Sequence, residues 1–389
     1  MVGAQAPSSG RPLWVVVALG VFFLAIYAQT VAYLYAEFPH NYSWTELMLN
    51  YQGGFVKRSG LGELAYQMRD TLNPRDLIVS ILFGAYAASV LLIVFGLGVG
   101  RDFASWLFLF SPAGLLFPVY EQGAFGRKDV FILCASAIAL VAIWQSHSFW
   151  RSLAISLIVF LVAGILIEAA WFYFPLVVAA LLTRHSDERA AVRISGLAVA
   201  ACVAVLAMAV MYKFGTADTE RIASSWRAVN PDAYATQGAL CCLGVNFDQA
   251  FGIMWASHGL QSMPRNSYIV GMILALVPIA VLLAKTRFRR IDWLTAAAWV
   301  AGVLAALVPF VVAADWGRYI YLFSTALFLA AWVGLGPRAA SKPGMVSTIV
   351  MIALVIVFAT SWRMLLWQER GNSALKPGPL VSAIGMKLD

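Results

Sequence analysis

The chain is 389 residues long, 61% hydrophobic and only 12% charged, with a formal net charge of +8. A soluble domain carries about 25% charged residues, and a mean hydropathy of +0.80 excludes a fold that hides its apolar surface in a soluble core. The apolar runs are continuous rather than alternating, which excludes a membrane β-barrel. Basic residues are scattered at the ends of these runs, with no basic helix or aromatic-basic stripe, which excludes nucleic acid as a partner.

A helix needs about 20 residues to cross the hydrocarbon. Residues 1–12 are a short polar tail with Arg11 as its only charge. The run 13–36 is too long for a signal-peptide core and lacks a cleavage site, so it is expected to stay as a signal anchor and first spanning helix. Helices are predicted over 77–99, 103–120 and 130–146. The run 152–183 is too long for one helix and too short for two full ones. Glu168 lies near its middle and Pro175 after it, which predicts two short helices meeting near Glu168. Later helices are predicted over 194–212, 267–285, 293–313, 319–336 and 345–365. The expectation is an all-α polytopic bundle of about eleven transmembrane or membrane-entering helices, forming one domain over 13–365.

The connections Arg101-Asp102, His147 to Arg151, Arg184 to Arg193, Lys285 to Arg290 and Arg338 to Lys342 are short and basic. By the positive-inside rule they are cytoplasmic, and so is the N-terminus. The long connections 37–76 and 213–266 and the tail 366–389 then fall on the extracytoplasmic side. This parity requires the break in 152–183.

Nearly every motif-like polar cluster lands on that same side. Gly53-Gly54-Phe55-Val56-Lys57-Arg58-Ser59-Gly60-Leu61-Gly62 sets four glycines around two cations. Glycines let backbone amides approach an anion, and Lys57 and Arg58 supply charge-assisted bonds to phosphate. Gly126-Arg127-Lys128-Asp129, preceded by Glu121, is a second basic pair at a helix start, where anions are favoured. Glu168 is a lone carboxylate in an apolar run, either an acid or base or the partner of a cation such as Arg58 or Arg127. Asp315-Trp316-Gly317-Arg318-Tyr319 joins two helices too close together for a large loop. Its Asp315 and Arg318 are binding candidates, or a local pair in an interfacial belt. Glu37 directly follows the first helix and is placed as a base for a hydroxyl acceptor, with Glu46 as the alternative.

Of the four cysteines, Cys134 and Cys202 lie inside apolar runs as small core residues. Cys241 and Cys242 are adjacent, and a disulfide between them closes only with strain. The four histidines are far apart and show no metal-ligand spacing. No cofactor is expected from the sequence, and a divalent metal requirement is left open.

This layout, with a long first extracytoplasmic loop bearing carboxylates and a site facing lipid, resembles the GT-C class of glycosyltransferases. The stretch Asn50 to Gly62 also resembles a Gly-Phe-Val-Arg-Arg-Gly-Leu pattern of bacterial membrane proteins, with Lys57 in place of an arginine and Ser59 added. The resemblance implies an integral protein of a bacterial inner membrane. It implies transfer of a sugar from a polyprenyl-phosphate-linked donor to a lipid or glycan acceptor. A first-loop carboxylate would act as base, which maps onto Glu37 or Glu46. Lys57, Arg58, Arg127, Lys128 and Arg318 would then neutralise the leaving phosphate. Many members carry a paired acidic motif in this loop, whereas this loop has isolated glutamates. The alternatives are a polymerase or ligase of lipid-linked glycans, and a transporter or flippase of lipid-linked or anionic substrates. Transport favours charges at mid-depth and internal repeats; only Glu168 lies clearly inside an apolar run, and no repeat is visible.

Overall fold

The computed structural model describes residues 13–38, 42–214, 217–229, 239–243, 252, 264–286, 291–313, 315–336, 345–367 and 372–384. The N-terminal tail, the basic tags 287–290 and 338–342, His40, His258, Trp255 and the side chains of Cys241 and Cys242 lie outside the described residues.

The described chain is nearly all helical, and seven of its helices are long and apolar enough to cross a membrane. These spans are Val17–Ala36, Pro74–Gly96, Phe149–Leu166, Ala190–Lys213, Arg265–Lys285, Trp293–Val312 and Trp316–Leu335. Three more apolar helices, Asp129–Gln145, Ala170–Arg184 and Thr348–Ser361, are shorter. Many aliphatic side chains point outward, among them Ile158, Val205 and Leu206, each at least 60% exposed. A side chain of this size loses about 1.5–3 kcal/mol when left in water, so this surface belongs in lipid. The protein is an integral membrane protein.

In chain order, α1 (Leu13–Ala36) leads to two short helices, α2 (Tyr42–Leu47) and α3 (Gly60–Gln67). Helix α4 (Pro74–Leu91) starts earlier than predicted because the Asn73 side chain caps it and Pro74 occupies its first turn. It runs on through one π-helical turn to Gly96. The predicted helix 103–120 is not continuous. It divides into α5 (Phe103–Leu109) and α6 (Phe117–Tyr120), followed by α7 (Gln122–Phe125). Pro112 and Pro118 remove backbone donors there, and Gly114 sits so close to the Phe108 carbonyl that no side chain fits.

Helix α8 (Asp129–Gln145) follows the second basic motif. The break in 152–183 falls where it was predicted: α9 (Phe149–Leu166) stops, Ile167 is extended, and α10 (Ala170–Arg184) begins. After these come α11 (Ala190–Phe214), α12 (Thr219–Arg227), α13 (Arg265–Lys285), α14 (Trp293–Leu307), α15 (Pro309–Val312), α16 (Trp316–Leu335) and α17 (Met345–Ser361). Helices α10 and α16 are the centre of the bundle. They pack on each other and on α8, while α14 packs on α10. Most of their residues are buried.

The C-terminal region contains strand structure that the helix pattern does not anticipate. Strand β1 (Trp362–Met364) pairs antiparallel with β2 (Leu375–Pro377), and α18 (Pro379–Ala383) follows. The hairpin is tied to α13, because the Ala374 N–H donates to Ser267 Oγ at 3.0 Å.

Candidate functional site

At one end of the bundle the first loop, the start of α8, the α9–α10 break and the start of α16 meet. Trp44 Nε1 donates to the Leu34 carbonyl at 2.9 Å and pins α2 beneath the end of α1. The Phe38 ring meets Trp44 edge-on with centroids 4.7 Å apart. This turns Glu46 inward, where it is buried. Further along the loop, Trp226 Nε1 of α12 donates to the Met48 carbonyl, and the Asp218 N–H donates to the Gly53 carbonyl at 3.0 Å.

Two glycines of the first motif, Gly53 and Gly62, allow close packing of backbone on backbone, while Gly54 has φ 110° and open space around its Cα. A side chain at Gly53 would collide with the Asp218 carbonyl, and one at Gly62 with the Leu49 carbonyl. At Gly53 and Gly62 the missing side chain therefore makes room for a neighbouring carbonyl, a packing role.

Seven charged groups form a continuous chain of ion pairs. The Arg58 guanidinium donates through Nε to both oxygens of Glu168 at 2.8 Å, with Nη2 at 2.7 Å from Oε1. Its Nη1 reaches Glu46 Oε1 at 3.4 Å. The other Glu46 oxygen accepts from Arg127 Nη1 at 2.7 Å, and Arg127 Nη2 reaches Asp315 Oδ2 at 3.2 Å. Asp315 Oδ2 is also 3.5 Å from Arg318 Nη1, and Arg318 Nε is 3.4 Å from Asp129 Oδ2. The Tyr42 ring lies 4.4 Å from the Arg127 guanidinium, and Arg318 Nη2 donates to the Tyr319 hydroxyl. An eighth group, Lys128, is fully buried and donates through Nζ to the Arg58 carbonyl.

Four cations (Arg58, Arg127, Lys128, Arg318) thus face four carboxylates (Glu46, Asp129, Glu168, Asp315), and their formal charges cancel. The network has a floor and an edge. Side-chain exposure is 8% or less at Glu46, Asp129, Arg127 and Arg318, but 17% at Glu168, 25% at Asp315 and 26% at Arg58. Arg58 has φ 68°, in the left-handed region that non-glycine residues rarely adopt, and no other non-glycine among the described residues does so.

Burial pushes the Glu46 carboxyl up, but Arg127, Arg58, Arg318 and Lys128 together outweigh it and hold it at about 2. Glu168 is likewise raised by burial and lowered further by Arg58 and Lys57, so it too stays below the usual carboxylate range. Burial lowers Lys128 to about 8 against the opposing pull of Glu46 and Glu168.

Of the residues picked from sequence, Glu46, Arg58, Arg127, Lys128, Glu168, Asp315 and Arg318 come together here, and Lys57 is close enough for its charge to act on Glu168. Glu37 does not join them. It ends α1 half-buried, near Tyr33. Tyr33 lines a separate surface cleft of about 390 Å³ with Tyr120, Glu121, Gln122, Gly123 and Arg363. In that cleft burial pushes the Glu121 carboxyl up. Sequence reasoning passed over Asp129, whose place beside Arg127 and Lys128 at the start of an apolar helix was the available signal. It also passed over Tyr42, which carries no distinguishing pattern.

No protein-family model, no curated protein and no solved structure matches this chain; the chemistry of the ion network is what a functional reading stands on.

Proposed function

We propose that this chain is a GT-C-like membrane glycosyltransferase that moves a sugar from a polyprenyl-phosphate-linked donor to a lipid or glycan acceptor. The observation that carries this reading is the network itself. Charges near a membrane are costly unless solvated, paired or used. Here eight of them are gathered from four separate segments, and one arginine is held at the exposed edge in a strained backbone conformation. In the topology that goes with this reading, about eleven helices cross or enter a bacterial inner membrane. The N-terminus is cytoplasmic and the network opens to the extracytoplasmic side.

The chemistry is an exchange of anions on Arg58. A donor phosphate at the membrane surface takes the guanidinium fork now held by Glu168, since phosphate and carboxylate share its bidentate geometry. Buried Arg127 and Lys128 add positive charge beneath the leaving group. Glu168, freed from its cation but still partly desolvated, gains basicity and takes the acceptor hydroxyl's proton. Glu46 stays locked between two arginines and is too weak a base for this step.

Charge balance supports a rival reading, in which the network is only a clasp between helix ends. The two readings part on binding of a long-chain polyprenyl phosphate to purified protein in nanodiscs. For a transferase site, Arg58→Ala loses binding, while Glu168→Gln keeps or tightens it and slows transfer by about a hundredfold. A clasp alone gives no saturable binding by the wild type. Orientation is tested separately by labelling Ser224→Cys and His147→Cys, both exposed, in intact cells on a background lacking the native cysteines. Labelling of His147→Cys alone would reverse the topology.

A further inference from the structure

Below the network, a line of buried polar groups runs into the apolar bundle. On α8, Asp129 and Ser136 are seven residues apart; on α16, Arg318 and Thr325 are seven apart, with Tyr321 between them. Seven residues are about two turns, so each pair shares a helix face and reaches about 10 Å deeper. Helices α8 and α16 pack together, and α10 packs on both. Tyr173 lies on α10, and Tyr86 on α4, which packs on α8.

Asp129, Ser136, Tyr321, Thr325, Tyr86 and Tyr173 are each at most 2% exposed. Neither oxygen of Asp129 accepts a hydrogen bond from any described residue, and the hydroxyls of the other five make none. The charge of Asp129 acts on Tyr86, Tyr173 and Tyr321, so it lies within electrostatic reach of all three. Their ring contacts are made: Tyr86 stacks on Phe125 at 4.6 Å and Tyr321 on Phe117 at 5.0 Å. The rings are therefore held by packing and only their polar tips lack partners.

Buried polar groups are almost always hydrogen-bonded, to protein or to ordered water. One isolated orphan is a local defect, but five such hydroxyls on four helices, beside a buried carboxylate whose ion pair with Arg318 leaves it no hydrogen bond, describe a site. We infer that this seam binds a file of ordered water molecules that hydrates the Asp129–Arg318 pair from inside the bundle. Water fits better than a cation, because the network's four cations and four carboxylates leave no net negative charge to hold one. Water also needs two to four polar partners, which the hydroxyls and the Asp129 carboxylate supply. This inference is independent of any transferase activity.

The test is a structure in nanodiscs at a resolution that resolves water, for the wild type, Tyr321→Phe and Thr325→Val, with thermal unfolding of each in sodium and in choline chloride. Both substitutions keep shape and delete one hydroxyl. The expected result is density within hydrogen-bonding distance of Asp129 and the Tyr321 hydroxyl, loss of the bridging density in Tyr321→Phe, and a lower Tm for both variants. A dry seam, or a Tm raised in both variants because an unsatisfied hydroxyl has been removed, overturns the inference. So does a wild-type Tm that rises specifically with sodium, which identifies a bound cation instead.

Discussion

The two ends of the bundle handle charge differently. At the end opposite the network, Arg193 near the start of α11 pairs with Asp292 at 2.9 Å and donates to Thr295 Oγ1 at 2.6 Å. Asp292 is itself the N-cap of α14, accepting from the Thr295 N–H at 2.9 Å. Everything there follows from one helix cap and one arginine close in space, and the carboxylate is open to solvent. At the network end only Asp129, in the first turn of α8, and the Asp315–Arg318 pair at the start of α16 have a local helical reason; the remaining pairs join separate segments. Glu46 comes from a short, largely buried helix, Arg58 from a strained loop, Glu168 from a helix break, and Asp315 with Arg318 from a tight junction. A local pair needs only capping energetics to exist. A network drawn from distant segments must hold the fold in several places at once, and it leaves Arg58 and Glu168 partly exposed at its edge.

The sharpest way to break this comparison is Glu46→Gln. It leaves Arg58 and Arg127 sharing no carboxylate at the buried floor, and removing one partner of a buried ion pair costs about 3–5 kcal/mol. Unfolding of the variant in detergent should show a loss of that order; a change below about 1 kcal/mol would falsify the network's structural role. The next effect is on pH. Burial lowers the Lys128 ammonium from the ordinary 10.5 to about 8. The folded state therefore binds fewer protons than the unfolded state between these values, and stability rises as pH rises through that window. The full linkage is about 3 kcal/mol. Lys128→Met should unfold with a flat profile over the same range, and an unchanged slope would remove Lys128 as its source.

Much of this was legible in the sequence, for identifiable reasons. Glu168 in an apolar run of awkward length, with Pro175 behind it, predicted a break near Glu168, and it falls at Ile167. The apolar runs themselves marked the long spans, because lipid demands continuous hydrophobicity. The failures have equally physical causes. The run 103–120 is apolar enough to read as a helix, and its division depends on Pro112, Gly114 and Pro118, whose effect hydropathy does not register. Composition also cannot tell a glycine that makes room for a neighbouring carbonyl, as Gly53 and Gly62 do, from one with open space around it, as at Gly54. Sequence put Glu37 ahead of Glu46 as the first-loop base, because the end of the first helix fixes it. What separates them is the Trp44 bond to Leu34, a tertiary contact that turns only Glu46 inward.

At the opposite end the effect is smaller. Arg193→Met should cost about 1 kcal/mol, since its partner is 39% exposed and remains hydrated. The hydrogen bond from Arg193 and the Thr295 N–H hold Asp292 at about 2. Its folded value lies below the ordinary carboxylate value, so this term is present at neutral pH and is lost as pH falls through about 2. The acid limb of wild-type unfolding should be shallower in Arg193→Met, and polyprenyl phosphate binding should be untouched. Loss of that binding would mean the two ends are coupled.

Glu37→Gln is expected to do least, and it discriminates between the two first-loop carboxylates. Glu37 makes no ion pair with a described residue and sits half-buried near Tyr33. Neutralising a partly solvated carboxylate away from any partner changes stability by no more than about 0.5 kcal/mol. If the proton acceptor is Glu168, Glu37→Gln should also keep donor-phosphate binding and retain transfer within a few-fold, while Glu168→Gln loses about a hundredfold. A Glu37→Gln protein that folds and binds donor normally but transfers a hundredfold more slowly would return the base to the end of α1. The acceptor would then have to approach through the Tyr33–Glu121 cleft, and the Arg58 edge would keep only the phosphate.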